Sequence, residues 1–130
     1  MKNRVLGTFV VLTLALMICT TGSLAADKAA KSQTLKGTLV DVACATENAE
    51  KPKADFAAKH SKKCLQMPEC EESGYALLTA DNHIVKLDKE SNEAAKKFIA
   101  STDHDKDWKV AVTGSMNKDN TVKVDKLALQ

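Results

Sequence analysis

The chain has 130 residues, enough for one domain and too few for a nucleotide-binding enzyme with a separate substrate domain. Of its 19 Lys and Arg, Lys2 and Arg4 fall in residues 1–25, which contain no acid, so residues 26–130 carry 17 charges of each sign and are neutral overall. Neutrality and 4% aromatics argue against a general nucleic-acid binder, which needs a basic face and stacking rings.

Met1-Lys2-Asn3-Arg4 is a short positive segment, followed by an apolar run from Val5 to Ile18. Ser23 and Ala25 are small residues at −3 and −1 of a cut after Ala25. This is the layout of a secretory signal peptide over residues 1–25 and predicts export to the periplasm or the exterior. A signal anchor is the alternative, but the run falls short of the roughly 20 residues that a span needs. Cys19 raises a second alternative, a lipid anchor, against which bulky Ile18 stands just before the cysteine. Residues 26–33 read as a polar, flexible leader.

From residue 34 onward the chain reads as a single domain. Thr34–Val42 is a first strand, with Gly37 expected to mark a bulge or bend. Lys53–Lys63 follows Pro52 and reads as one short helix with Phe56, Ala57 and His60 at helical spacing, ended by Met67-Pro68-Glu69. Tyr75–Thr79 and His83–Leu87 flank Asp81-Asn82 and form a hairpin. Ser91 is the expected N-cap of a helix over Asn92–Ala100. Trp108–Gly114 alternates with a period of two and is a fourth strand. Thr121–Leu129 is a fifth, with a change of phase near Asp125-Lys126 that predicts a bulge.

The resulting order, β-β-β-α-β-β, predicts a mainly β fold with short helices: an OB-like, partly open five-stranded barrel. A helical, cysteine-bearing insert (residues 44–74) separates the first two strands. Trp108 and Tyr75 are expected in its core. A hairpin-rich α+β sheet is the alternative.

Cleavage after Ala25 leaves Cys44, Cys64 and Cys70. In an oxidising compartment the default is a disulfide, here Cys44 with Cys64 or Cys70, which would staple the insert to the barrel and stabilise it by roughly 2–4 kcal/mol. Met67 is then a core gap-filler and His60 a partly exposed helix residue. Three is odd, so one thiol remains to be accounted for. In HSKKCLQMPEC, His60, Cys64, Met67 and Cys70 follow at intervals of four, three and three. On one helix His60 and Cys64 would share a face. Cys70 could fold back past Pro68, and Cys44 could close the set. Thiolate, thioether and imidazole are soft to borderline donors. Together they suit copper as Cu(I), or zinc if the methionine is left out.

Catalysis by a Cys64–His60 pair lacks a third, orienting group. Asp103, Asp105 and Asp107 alternate as in a calcium loop, but the sixth position, which requires glycine, is Trp108. His83 and His104 have no donor cluster beside them. No phosphate-binding glycine loop, GxSxG or HExxH occurs.

The GTLVDVACA stretch, the H-x3-C-L-x-M-P-x-C-x2-S-G-Y segment (His60 to Tyr75) and the closing V-T-G-x7-V-x-V together resemble a group of small secreted bacterial proteins of unknown function with an OB-like barrel. The resemblance spans Gly37–Leu129 and implies secretion and a compact β-rich domain, with no catalytic residue attached. The expected protein is therefore an exported, non-enzymatic module. It would bind a soft metal, a small ligand or an envelope protein, without nucleic acid and without a membrane span after cleavage. A thiol redox protein is the alternative.

Overall fold

A computed structural model of the chain describes residues 31–48, 50 and 53–130. The expected signal peptide, Cys19 and the leader up to residue 30 lie outside the described residues.

The elements run β1 (Gln33–Asp41), α1 (Val42–Glu47), α2 (Lys53–Lys59), α3 (Lys62–Leu65), α4 (Pro68–Ser73), β2 (Tyr75–Thr79), β3 (Ile84–Lys86), α5 (Lys89–Ser101), β4 (Lys109–Met116) and β5 (Val122–Leu129). The strands make one open sheet in the order β3-β2-β1-β4-β5, and every neighbouring pair is antiparallel. β1 is central: Leu39 lies opposite Leu77 of β2, and Leu35 opposite Val112 of β4. An isolated parallel bridge joins Leu87, just past β3, to Val122 at the start of β5.

Alternation along the strands sorts side chains onto two faces. Leu39, Leu77, Val110, Val112 and Val122 pack with Ala95 and Ile99 of α5, and with Leu65, Tyr75 and Trp108, in the larger core cluster. Val40, Ala76 and Leu78 face the other way, under Ala45 of α1 and Ala57 of α2. β2 is therefore covered on both sides, and its run Tyr75–Leu78 is buried throughout.

Three local expectations are corrected. At Gly37 the ladders to β2 and β4 run through without a shift. The glycine is there because a Cβ would run into the Leu78 carbonyl and the Leu77 side chain. The N-cap of α5 is Asp88, whose carboxylate accepts the Ser91 amide at 2.9 Å; Ser91 itself is buried, and its Oγ accepts the Val124 amide at 2.7 Å. The leader ends sooner than expected, because Gln33 already belongs to β1. The bulge falls where the change of phase placed it. Thr113 pairs with Lys126 and Gly114 with Val124, so Asp125 is the extra residue on β5.

The insert departs furthest from the sequence reading. The helix expected over 53–63 breaks at His60 and Ser61 into α2 and α3. Ser61 bridges to Lys106 and its Oγ caps α3 by accepting the Cys64 amide at 3.2 Å. The Lys62 amide donates to the Asp105 carbonyl at 2.5 Å, and Lys62 Nζ reaches the carbonyls of Ala100 and Thr102 at the end of α5. These contacts replace the intrahelical bonds that a continuous helix would have made. Pro68 opens α4 at its first turn, where a missing amide costs nothing. Gly74 closes it at φ 81°, a left-handed conformation that glycine adopts without strain.

Candidate metal and thiol site

The apolar strand β1 ends in an acid, Asp41, which is completely buried. One carboxylate oxygen explains its place. Oδ1 accepts the Cys44 amide at 2.8 Å and so caps α1, three residues on from the cap. The same turn carries the Cys44 thiol up beside the carboxylate.

Cys70 arrives from α4. Ser73 ties the two short helices together, its Oγ accepting the Ala43 amide at 3.1 Å and donating to the Cys70 carbonyl at 2.8 Å. The Cys44 and Cys70 Sγ atoms stand 4.0 Å apart, roughly twice the length of a disulfide bond. The three cysteines among the described residues, Cys44, Cys64 and Cys70, are all free thiols. One ligand atom from each of Asp41, Cys44 and Cys70 lies within 4.8 Å of the others, a grouping fit to hold a metal ion.

His60 stands just past the end of α2 and is 3% exposed, not partly exposed on a helix face. Its Nε2 lies 2.6 Å from Asp41 Oδ2, and Phe56 packs its edge against the ring at 5.0 Å. The approach is close, yet neither Nε2 nor Oδ2 completes a hydrogen bond of regular geometry. Of the expected donors, Cys64 lies on α3, beyond the break that holds His60, and outside the Asp41–Cys44–Cys70 grouping. It shares with Cys44 and His60 the wall of a cavity of about 430 Å³, which Asn48, Asp55, Phe56 and Lys59 complete. Met67 is 44% exposed at the N-cap of α4, outside that wall and outside the core.

The electrostatics follow from burial. Burial pushes the Asp41 carboxyl up, but the hydrogen bond and electrostatic attraction of His60 and the Cys44 amide outweigh it and hold the group at about 2. Burial and the Asp41 charge together push the Cys44 thiol up to about 12, and the Cys70 thiol is raised for the same two reasons. Both thiols are therefore protonated and weakly nucleophilic until a cation takes the place of their protons.

Asp41 is the member of the site that the sequence reading passed over. Its signal was present: an acid inside LVDVA, three residues before Cys44, has the spacing of an N-cap. A larger cavity, about 550 Å³, lies by the sheet between Lys36, Thr38, Asp107 and Lys109, where charges of both signs mix and no nucleophile or ligand cluster is present.

No protein-family model matches the chain, and neither does any curated protein or solved structure. Among the described residues no helix is long and apolar enough to cross a membrane.

Proposed function

We propose that the chain is an exported, non-enzymatic binding module of OB-like architecture whose insert holds a thiophilic metal ion, zinc before copper. The observation that carries this reading is the buried Asp41, Cys44 and Cys70 grouping, with His60 beside Asp41. Two sulfurs and a carboxylate oxygen are three donors within reach of one ion, a set suited to zinc with one open position, and the His60 imidazole stands behind them against the carboxylate as an outer partner. The thioether that would favour Cu(I) stands outside the cluster, on exposed Met67. Bound there, zinc would hold both thiols as thiolates and link β1 to α1 and α4. The central position of β1 and the parallel contact between Leu87 and Val122 support the OB-like architecture. The N-terminal charge, apolar run and small residues before position 26 support export.

The test is native mass spectrometry, with elemental analysis, of protein purified under reducing conditions. One zinc per chain is expected, lost in Cys44→Ser and in Cys70→Ser and kept in Met67→Leu. A chain that carries no ion, or a Cys70→Ser variant that keeps full occupancy, overturns the assignment. Copper in place of zinc, lost in Met67→Leu, restores the thioether to the set.

The 4.0 Å approach of Cys44 and Cys70 favours a second reading, a disulfide staple between these two residues. Thiol counting under denaturing conditions separates the two. One thiol per chain and no ion indicate the staple; three thiols and a released ion indicate the metal site.

A further inference from the structure

The two thiols at the floor of the site differ in access. Cys44 is half-buried and forms part of the wall of the 430 Å³ cavity. Cys70 is 5% exposed and absent from that wall, but its sulfur is in contact with that of Cys44. One sulfur can be met from outside, and the other lies directly behind it. A dithiol that exchanges with an external disulfide has this arrangement of an entry thiol and a resolving thiol. The sulfurs must close by about 2 Å to bond.

We infer that Cys44 and Cys70 form a dithiol–disulfide couple whose oxidation by a small disulfide ejects the bound ion. The inference rests on the metal-site reading above and adds to it a regulating reaction and a class of reactant. The Cys44 thiolate attacks one sulfur of the disulfide RSSR, forming Cys44–S–SR and expelling RS⁻. The Cys70 thiolate then attacks the Cys44 sulfur, forming the Cys44–Cys70 bond and expelling the second RS⁻. Two electrons pass from the protein sulfurs to RSSR, which leaves as two thiols once protons are taken up from water. The product has no thiolate at either position. The ion loses both sulfur ligands and keeps only the Asp41 carboxylate, which is too little to hold it. Cys64 shares the cavity wall but takes no part in the bond.

The experiment uses the full exported chain, reduced, loaded with Zn(II), and treated with oxidised glutathione. Zinc release is followed with a colorimetric chelator, and the linkage by peptide mapping without reduction. The expected result is one equivalent of zinc released in step with a Cys44–Cys70 link and a mass lower by about 2 Da, with Cys64 still open to alkylation. Cys64→Ser should release zinc as the unaltered chain does. Cys70→Ser should stop at a glutathione adduct on Cys44. Zinc retained after the link forms, a link that includes Cys64, or a lasting adduct on the unaltered chain overturns the inference while the metal reading stands. Failure of the reduced chain to take up zinc overturns the metal reading, and the ejection step with it.

Discussion

Against one face of the sheet, α5 lays Ala95 and Ile99 on Leu39, Leu77, Val110 and Val112, with Trp108 fully enclosed. Against the other, α1 and α2 lay Ala45 and Ala57 on Val40, Ala76 and Leu78. The first face is made of large side chains and holds the domain together. The second is made of small ones, which let short helices come close; a buried acid, a buried imidazole and two thiols gather at the end of β1, where Asp41 lies opposite Tyr75 of the larger cluster. β1 thus gives Leu39 to one cluster, Val40 to the other and Asp41 to the site.

The sharpest way to break this division is to damage the large-residue face. Trp108→Ala should cost about 3–5 kcal/mol in urea unfolding, because an enclosed indole leaves a cavity that its neighbours cannot fill. The loss should be the same with and without zinc. A loss that vanishes when the ion is bound would mean that the large-residue face and the site are not independent.

Loading the site is the next largest effect. Zinc at about one hundred times its dissociation constant should raise unfolding free energy by about 2.7 kcal/mol. Cys70→Ser should abolish that gain, whereas Ile99→Ala should lower stability and leave the gain intact.

Acid should act through Asp41, and also through Asp88, whose carboxyl caps α5 and is held below its ordinary range, against its burial, by hydrogen bonds from Ser91 and Asn117. The Asp41 carboxyl is held at about 2 in the folded chain, below its ordinary value of 3.8, so the unfolded state binds more protons between these values. Its contribution, about 2 kcal/mol, is present in full above pH 4 or so and is lost as pH falls toward 2. Asp41→Asn keeps a capping oxygen and should flatten this part of a metal-free pH–stability curve. An unchanged acid limb would place the acid sensitivity elsewhere.

The smallest effect belongs to Met67→Leu, an exposed position outside both clusters: less than about 0.5 kcal/mol in unfolding and no change in zinc content.

The two faces also differed in how legible they were. Period-two alternation in WKVAVTG and the change of phase at Asp125 are local signals, and β4 and the bulge in β5 lie where they point. The apolar positions of α5 likewise sit within one helix. The insert depends on distant partners. Helical spacing from Phe56 to Cys64 looks continuous, yet Ser61 and Lys62 turn aside to meet Lys106 and Asp105, which no local pattern reports. Pro68 reads equally well as the end of one helix or the start of the next. His60, Cys44 and Cys70 were visible as residue types, but the acid that brings His60 and Cys44 together looked like part of a strand.

The meeting of the α2–α3 junction with the segment after α5 has a consequence in time. Ser61 and Lys106 are far apart in the chain, and contacts that close long loops form late because the entropy of closure must be overcome first. His60 immediately precedes Ser61, so the bridge to Lys106 restrains the segment that carries the imidazole. Cys44, Cys64 and Cys70 all precede Lys106 in the chain, so during synthesis these thiols exist before the contact that restrains the histidine segment can close.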